Sequence, residues 1–519
     1  MKRAKIHISK SFVVGKTDDR LFGSFVEHMG STVYNGIFEH GHRNADKNGF
    51  RKDVMELIKE LKLTQIRYPG GNFVSGFNWE DSVGPVEERP VRLDLAWKAI
   101  EPNTFGLNEF MQWIKKIHSK PMMTINLGTR GVDSARNLLE YCNFKEGTYY
   151  SDLRRKHGVN EPHNIKLWCL GNEMDGSWQI GAKTADEYGR LAKETGKVMK
   201  WLDPEIELVV AGSSTNRMKE FPRWDKTVLM HTYEVADYIS LHHYVDRRSS
   251  FSEIDNNSLI NNDKPVNLNT QEYLARTIYV ERQIYDIIAT CDYVKSVKRS
   301  NKTMYLAFDE WNVVAEKKHE GFDYKPWEIG SPIDCGAHTM EDALAFASMM
   351  MAIIRRSDRI KIACQSLLVN TGPLIVAKKD GPAWRNTIFY PFMHLSHYGR
   401  GNVLQSISKA PCYSTFEFSS VPIIDDLVVY NEEKGELSIF AVNRSDEPIE
   451  LTTDLRDFVA PELKKHIIMN HRNLNASNTE DKPFEVIPRT AIEHSRISNG
   501  YVESLIEPFS WNVILIKVQ

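Results

Sequence analysis

Cysteine is scarce in this chain of 519 residues: six, at positions 142, 169, 291, 335, 364 and 412. They form no Cys-x-x-Cys motif and pair with no histidine at metal-ligand spacing, which excludes a disulfide scaffold and a zinc-finger type of site. Three of the six sit inside apolar runs, as buried thiols do. Excess charge is also missing. A formal net charge of -3, with no basic run, argues against nucleic acid or an acidic membrane as partner. No apolar stretch approaches bilayer length. The opening Met1-Lys-Arg-Ala-Lys-Ile-His-Ile-Ser-Lys is basic but lacks the apolar region of a signal peptide behind it, so a cytoplasmic protein without disulfides is expected. Neither an internal repeat nor a low-complexity segment is visible.

What is present is an alternation. Short apolar runs begin near 21, 64, 121, 165, 206, 238, 303 and 361, mostly separated by stretches with helical spacing such as Val54, Leu57, Ile58 and Leu61. Thr184-Ala-Asp-Glu187 has the pattern of a capping box opening a long helix, and 271–297 and 339–355 read as further helices. A buried parallel strand reads as a near-continuous apolar run. Eight such strands with intervening helices predict an α/β fold, a (β/α)8 TIM barrel over residues 15–385. No glycine-rich phosphate loop follows the first strand, against an open doubly wound sheet. Beyond residue 385 strand and turn signals take over: Asn431-Glu-Glu-Lys-Gly435 lies between two apolar runs as a hairpin turn would. Residues 386–519 are therefore expected to form an antiparallel β-sandwich of jelly-roll type, joined by the N-terminal strand in 1–14.

Two of the runs, Ile165-Lys-Leu-Trp-Cys-Leu-Gly-Asn-Glu173 and Thr303-Met-Tyr-Leu-Ala-Phe-Asp-Glu310, stop abruptly at a glutamate. One such residue alone is most often a solvated loop charge. Two, at the ends of separate barrel strands, sit on the face where barrel active sites lie. Glu27 and His28, Arg67 and Asn72, Asn126, and His242, His243 and Tyr244 end other strands on the same rim. A pair of carboxylates there is what acid/base and nucleophilic chemistry on an acetal requires. His242 and His243 are adjacent, so they face opposite sides of a strand and cannot both ligate one ion; no metal and no cofactor is expected. By the same alternation, Asp309 should point away from Glu310 and be structural.

Gly23-Ser-Phe-Val-Glu27-His28, the segment from Arg67 through Gly-Gly-Asn72 to Asp81, Arg92-Leu-Asp-Leu-Ala-Trp97, Gly171-Asn-Glu-Met-Asp-Gly176 and Asp309-Glu-Trp-Asn312 together resemble glycoside hydrolase family 51, whose typical members are α-L-arabinofuranosidases. The resemblance implies Glu173 as general acid/base and Glu310 as nucleophile of a double displacement with retention. It implies Arg67 and Tyr244 beside the nucleophile, keeping Glu310 ionised, and Glu27, Asn72 and Asn172 on the sugar hydroxyls, Asn172 on the 2-hydroxyl. Trp97, Trp178 and Trp311 are candidate pocket walls, although each alone could be ordinary packing. The expected substrate is a small oligosaccharide of arabinan or arabinoxylan, cut from the end, and the resemblance implies a homo-oligomer, commonly a hexamer. One departure bears on the sugar. Where the family commonly has glutamine, in a Gln-Leu-Val-Asn pattern ending the eighth strand, this chain has Leu367; Gln365, two residues earlier, could face the same side. That leaves a β-xylosidase, a galactofuranosidase or an endo-glucanase on the same scaffold as alternatives, and a non-catalytic sugar-binding protein as the rival from another class.

Overall fold

The computed structural model describes residues 1–247 and 268–519. Its strands in chain order are β1 (Lys2–His7), β2 (Val13–Lys16), β3 (Gly23–Phe25), β4 (Gln65–Tyr68), β5 (Arg92–Asp94), β6 (Ala99–Glu101), β7 (Lys120–Ile125), β8 (Leu167–Leu170), β9 (Glu207–Val210), β10 (Tyr238–Val245), β11 (Tyr305–Val313) and β12 (Ile360–Gln365). Eight of these close into a parallel barrel in the order β3-β4-β7-β8-β9-β10-β11-β12 and back to β3. Each barrel strand is short, and nearly every position is buried because both faces are covered. Inside lie Phe25, Met122, Cys169, Ala307 and Ile362. Outside, the strands meet a ring of helices including α1 (Lys52–Leu61), α2 (Leu107–Lys116), α3 (Val132–Asn143), α4 (Tyr149–Lys156), α5 (Ala185–Leu202), α6 (Arg223–Thr232), α7 (Thr270–Ala275), α8 (Ile278–Val297), α9 (Met340–Arg355) and α10 (Phe389–Tyr398).

The helix expected over 271–297 is two. It breaks at Arg276-Thr277, where the Thr277 hydroxyl donates to the Leu274 carbonyl and the Arg276 guanidinium leaves the helix for Glu417. The capping box before α5 forms, with Thr184 and Glu187 bonded reciprocally. Helix α10, which follows the 385/386 division, packs on α1 and α9 of the barrel.

Two further sheets stack on each other C-terminally. One runs Ile407–Lys409, β1, Ile449–Asp454, Tyr501–Ile506, Ser495–Ser498. The other has β2 at one edge and Ile424–Asn431, Glu436–Asn443 and Trp511–Lys517 at its centre. Ile6, Val428, Ile439, Leu451 and Ile514 fill the space between them. Pairing is antiparallel except that β1 lies parallel to Ile449–Asp454. The two N-terminal strands thus serve as sheet members for the far end of the chain.

Candidate active site

The C-terminal ends of the barrel strands surround a cavity of about 360 Å³. Glu27, Asn72, Trp97, Glu173, Trp178, Tyr244 and Glu310 line it, with Leu367 between the cavity and the apolar barrel interior. Local backbone features aim the two glutamates. After β8 the chain turns at Gly171 (φ +86°), where a Cβ would meet the Met174 side chain at 3.2 Å, and Glu173 itself takes φ +44°. A non-glycine residue in the left-handed region costs on the order of 1 kcal/mol and is held only where its surroundings over-determine it. Here the surroundings are the Trp178 indole N–H, donating to Glu173 Oε2 at 2.6 Å, and His242 Nδ1, 3.0 Å from Oε1.

Glu310 owes its position to a bulge. Ser240 pairs with Ala307 and His242 with Glu310, so β11 carries one residue more than β10 across this interval. Simple alternation would turn Asp309 away from Glu310. The extra residue instead keeps both inside the barrel. Asp309 Oδ1 accepts from the Ser240 hydroxyl at 2.5 Å, its Oδ2 lies 3.2 Å from Arg67 Nε, and His242 Nε2 is 3.5 Å from Oδ1. The expectation that Asp309 points away is therefore corrected: it lies one layer beneath Glu173 and Glu310 and meets Arg67 and His242, which those two glutamates also face.

Arg67 Nη1 donates to Glu310 Oε2 at 2.9 Å and Nη2 to Asn172 Oδ1 at 2.6 Å, while the guanidinium lies 4.6 Å above the Phe25 ring. The Tyr244 hydroxyl donates to Glu310 Oε1 at 2.7 Å and sits 2.8 Å from Ser366 Oγ. Burial raises the Glu310 carboxyl above its ordinary value; the His242 charge, Arg67 and the Tyr244 hydroxyl oppose that, and the Glu173 charge adds to it. Burial by itself would lower His242, but the Glu310 charge and the bonds to Asp309 and Glu173 lift it to about 10, so it stands between the carboxylates as an imidazolium. Glu27 is pushed up to about 8 by burial, although the Phe73 amide (2.8 Å) and the Trp97 indole N–H (2.9 Å) both donate to its Oε1.

One oxygen of Glu173, one of Glu310 and a ring nitrogen of His242 all lie within 4.8 Å of one another. Such a trio is chemically able to hold a cation. Two positive groups, Arg67 and the His242 imidazolium, already face these carboxylates and would repel one. Carboxyl oxygens within 4.8 Å of each other are nearer than the roughly 6.5–9.5 Å separation of an inverting pair and suit direct attack by one of them on the sugar.

Some residues singled out in the sequence do not line the cavity. Trp311 is fully buried on the outer side of β11, its ring 4.8 Å from Phe346 of α9; next after the inward Glu310, it must face the helices. Gln365 is also fully buried, accepting from the Ser24 hydroxyl and donating to the Gly372 carbonyl, so Leu367 and not Gln365 meets the cavity. Asn172 is 1% exposed; its Oδ1 accepts from Arg67, and its amide nitrogen donates to Gln179 Oε1 at 3.3 Å and to Asn72 Oδ1 at 3.5 Å. His242 was visible only as one polar strand ending among several; its central place between the glutamates depends on the bulge. Ser214, Thr215, Arg217 and Asp246 also line the cavity, from loops that carry no motif, as does Asp334 of the segment 319–338.

A closed parallel barrel with two carboxylates converging at its C-terminal rim defines a glycoside hydrolase of the barrel class. Residues 57–258 match the model of the alpha-L-arabinofuranosidase 1 domain, and residues 309–510 that of the alpha-L-arabinofuranosidase C-terminal domain. The chain is 49% identical over 519 residues to the intracellular exo-alpha-(1->5)-L-arabinofuranosidase 1 of Bacillus subtilis, covering 100% of both. It is 48% identical over 521 residues to the enzyme of the same description from Acetivibrio thermocellus, covering 99% and 100%. A solved family 51 alpha-L-arabinofuranosidase from Bifidobacterium longum superposes with a TM-score of 0.91 at 35% identity over 99% of each chain. An arabinose complex of the Thermotoga maritima alpha-L-arabinofuranosidase gives 0.84 at 30% identity, again over 99% of each. The chain belongs to the alpha-L-arabinofuranosidases of glycoside hydrolase family 51.

Proposed function

We propose that this protein is a retaining, exo-acting α-L-arabinofuranosidase that releases terminal arabinofuranosyl residues from (1→5)-linked arabinan oligosaccharides. The observation that carries the mechanism is the approach of Glu173 and Glu310 to within 4.8 Å over a shared imidazolium. Glu310 holds the guanidinium of Arg67 and the phenol of Tyr244 and is the carboxylate that attacks the anomeric carbon. As that bond forms, the glycosidic C–O bond breaks and Glu173 passes its proton to the leaving oxygen. In the second half, Glu173 takes a proton from water, the hydroxide attacks the anomeric carbon, and the Glu310 ester is released with net retention. Glu27 and Asn72, which line the cavity, bind ring hydroxyls, and Asn172, bonded to Arg67, serves the 2-hydroxyl. Trp97 and Trp178 supply apolar walls.

The choice of sugar is supported by relatives at 48–49% identity described as exo-alpha-(1->5)-L-arabinofuranosidases, against the xylosidase and endo-glucanase readings that Leu367 leaves open. Those relatives are described as intracellular, and no helix among the described residues is long and apolar enough to cross a membrane, so we place the enzyme inside the cell, assembled as the hexamer that the family resemblance implies. Replacing Glu310 with glycine tests the assignment. Turnover of an aryl α-L-arabinofuranoside should fall by at least four orders of magnitude, with added azide restoring consumption of the aryl substrate as an arabinofuranosyl azide of inverted configuration. Near-normal turnover by the variant would refute the role of Glu310, and faster cleavage of an aryl xyloside by the wild type would refute the sugar.

A further inference from the structure

A second cavity, of about 550 Å³, opens where the barrel meets the C-terminal sheets. It shares no lining residue with the catalytic cavity. Helices α8 and α9 form one side, through Ile284, Tyr285 and Ala352, and the strand Ile424–Asn431 forms the other. Small-molecule sites favour such seams between domains and have volumes of roughly 300–1,000 Å³. The floor of this one is charged. Arg355 Nη1 donates to Asp425 Oδ1 at 2.6 Å and its Nη2 to Glu281 Oε1 at 2.7 Å, while Arg444 Nη2 donates to Asp425 Oδ2 at 2.7 Å. Burial would raise the Asp425 carboxyl, but Arg355 and Arg444 hold it below its ordinary value.

These pairs use up acceptors and leave donors over. Arg444 is 5% exposed, yet only one of its three nitrogens is engaged: Nη2 takes Asp425, with Thr277 Oγ1 at 3.1 Å and Ser348 Oγ at 3.5 Å. Nε and Nη1 have no partner among the described residues; Nε is sealed off, whereas Nη1 keeps contact with solvent and faces the cavity. An unmet donor on a buried charged group is costly and calls for a partner. At the mouth, exposed Lys409 makes no ion pair with any described residue, and the Arg356 guanidinium lies 4.9 Å above the Tyr285 ring. Four cationic side chains, Arg355, Arg356, Lys409 and Arg444, thus line the cavity against three carboxylates, Glu281, Asp425 and Asp426. The last counts for less. Burial raises the Asp426 carboxyl toward its neutral form, with Oδ1 accepting from the Ser408 hydroxyl and Oδ2 unpartnered. What the site lacks is an acceptor. A neutral sugar brings donors along with its acceptors, whereas an anion brings acceptors alone and offsets the surplus cation.

We infer that this seam cavity binds a small organic anion, its phosphate or carboxylate group held by Arg444 Nη1 and Lys409 and its body resting on the exposed Tyr285 and Pro422. The bound anion touches both the barrel helices and the sandwich, so it stabilises the folded chain. Isothermal titration of the full chain with inorganic phosphate, glycerol phosphate and citrate, at constant ionic strength, tests the site. At least one should saturate with a dissociation constant below about 1 mM and raise the melting temperature. Tighter binding of the phosphates names a phosphate as the ligand, tighter binding of citrate a carboxylate; either supports the site. Lys409→Glu, at an exposed position with no ion pair to lose, should weaken binding by about ten-fold or more while circular dichroism and turnover stay unchanged. Arg444→Met should abolish binding, and where that variant does not fold, the Lys409→Glu result decides. Absence of saturable binding up to about 10 mM would show that the seam holds only water and overturns the inference. So does an anion that binds Lys409→Glu as tightly as the wild type, or one that competitively inhibits turnover of the aryl arabinofuranoside equally in both, since it then sits elsewhere.

Discussion

Replacing Tyr244 with phenylalanine removes a single hydroxyl and leaves the ring, so its effect can be worked from one contact. The phenol donates to Glu310 Oε1 at 2.7 Å, a charge-assisted bond to a buried carboxylate from a partly exposed ring. Hydrogen bonds to charged groups contribute about 1.5–3 kcal/mol, and one pKa unit corresponds to about 1.36 kcal/mol. The hydroxyl stabilises the charged form of Glu310 and so holds its carboxyl down against the upward push of burial. Its loss should shift the acid limb of kcat/KM, which reports the free enzyme, to higher pH by about one to two units. The expected signature is selective: on the acid side the variant falls ten- to hundred-fold below the wild type, while above the new limb the two converge to within a few-fold. The assay is kcat/KM for an aryl α-L-arabinofuranoside from pH 4 to 9, with a melting curve at each pH to exclude unfolding. An acid limb that stays within about 0.3 units of the wild type, or a loss equal at every pH, would show that the hydroxyl does not control the ionisation of Glu310.

The two tryptophans in and out of the cavity should respond in opposite ways. Trp311→Ala empties a fully buried site against Phe346 and should lower stability by about 3–5 kcal/mol in urea unfolding, with KM for the aryl arabinofuranoside little changed in the surviving folded enzyme. Trp178→Ala, 40% exposed and bonded to Glu173, should leave the unfolding midpoint nearly unmoved and reduce kcat/KM by ten-fold or more. Glu27→Gln tests burial of a charge. A carboxyl raised to about 8 in the folded state contributes stability that is complete below its unfolded value near 4.5 and is lost as pH rises through 8. The glutamine variant, free of that loss, should gain on the wild type by on the order of 2–3 kcal/mol between pH 5 and 7, measured by denaturant unfolding without sugar. A gap that is constant with pH would mean Glu27 is charged throughout.

Much of this protein is legible along the chain because the relevant physics is local. Runs such as Leu167–Leu170 and Ile360–Gln365 are continuous in apolar character because barrel strands are covered on both faces, and the alternation of strand and helix carries the closed barrel with it. Glu173 and Glu310 stood out for the same reason: a carboxylate that ends a buried strand lies on the catalytic face of a barrel whatever else the chain does. Tertiary structure alone decided how those carboxylates are controlled. One extra residue in β11, invisible in the sequence, put Asp309 inside the barrel and His242 between the two glutamates, because a bulge arises from pairing between strands and leaves no compositional trace. Pairing likewise sent Trp311 to the helices and Gln365 behind Leu367. And only the fold reveals that the hairpin 92–101 buries its acids and exposes its leucines, since which face of a strand is inside depends on what lies beneath it and not on the alternation itself.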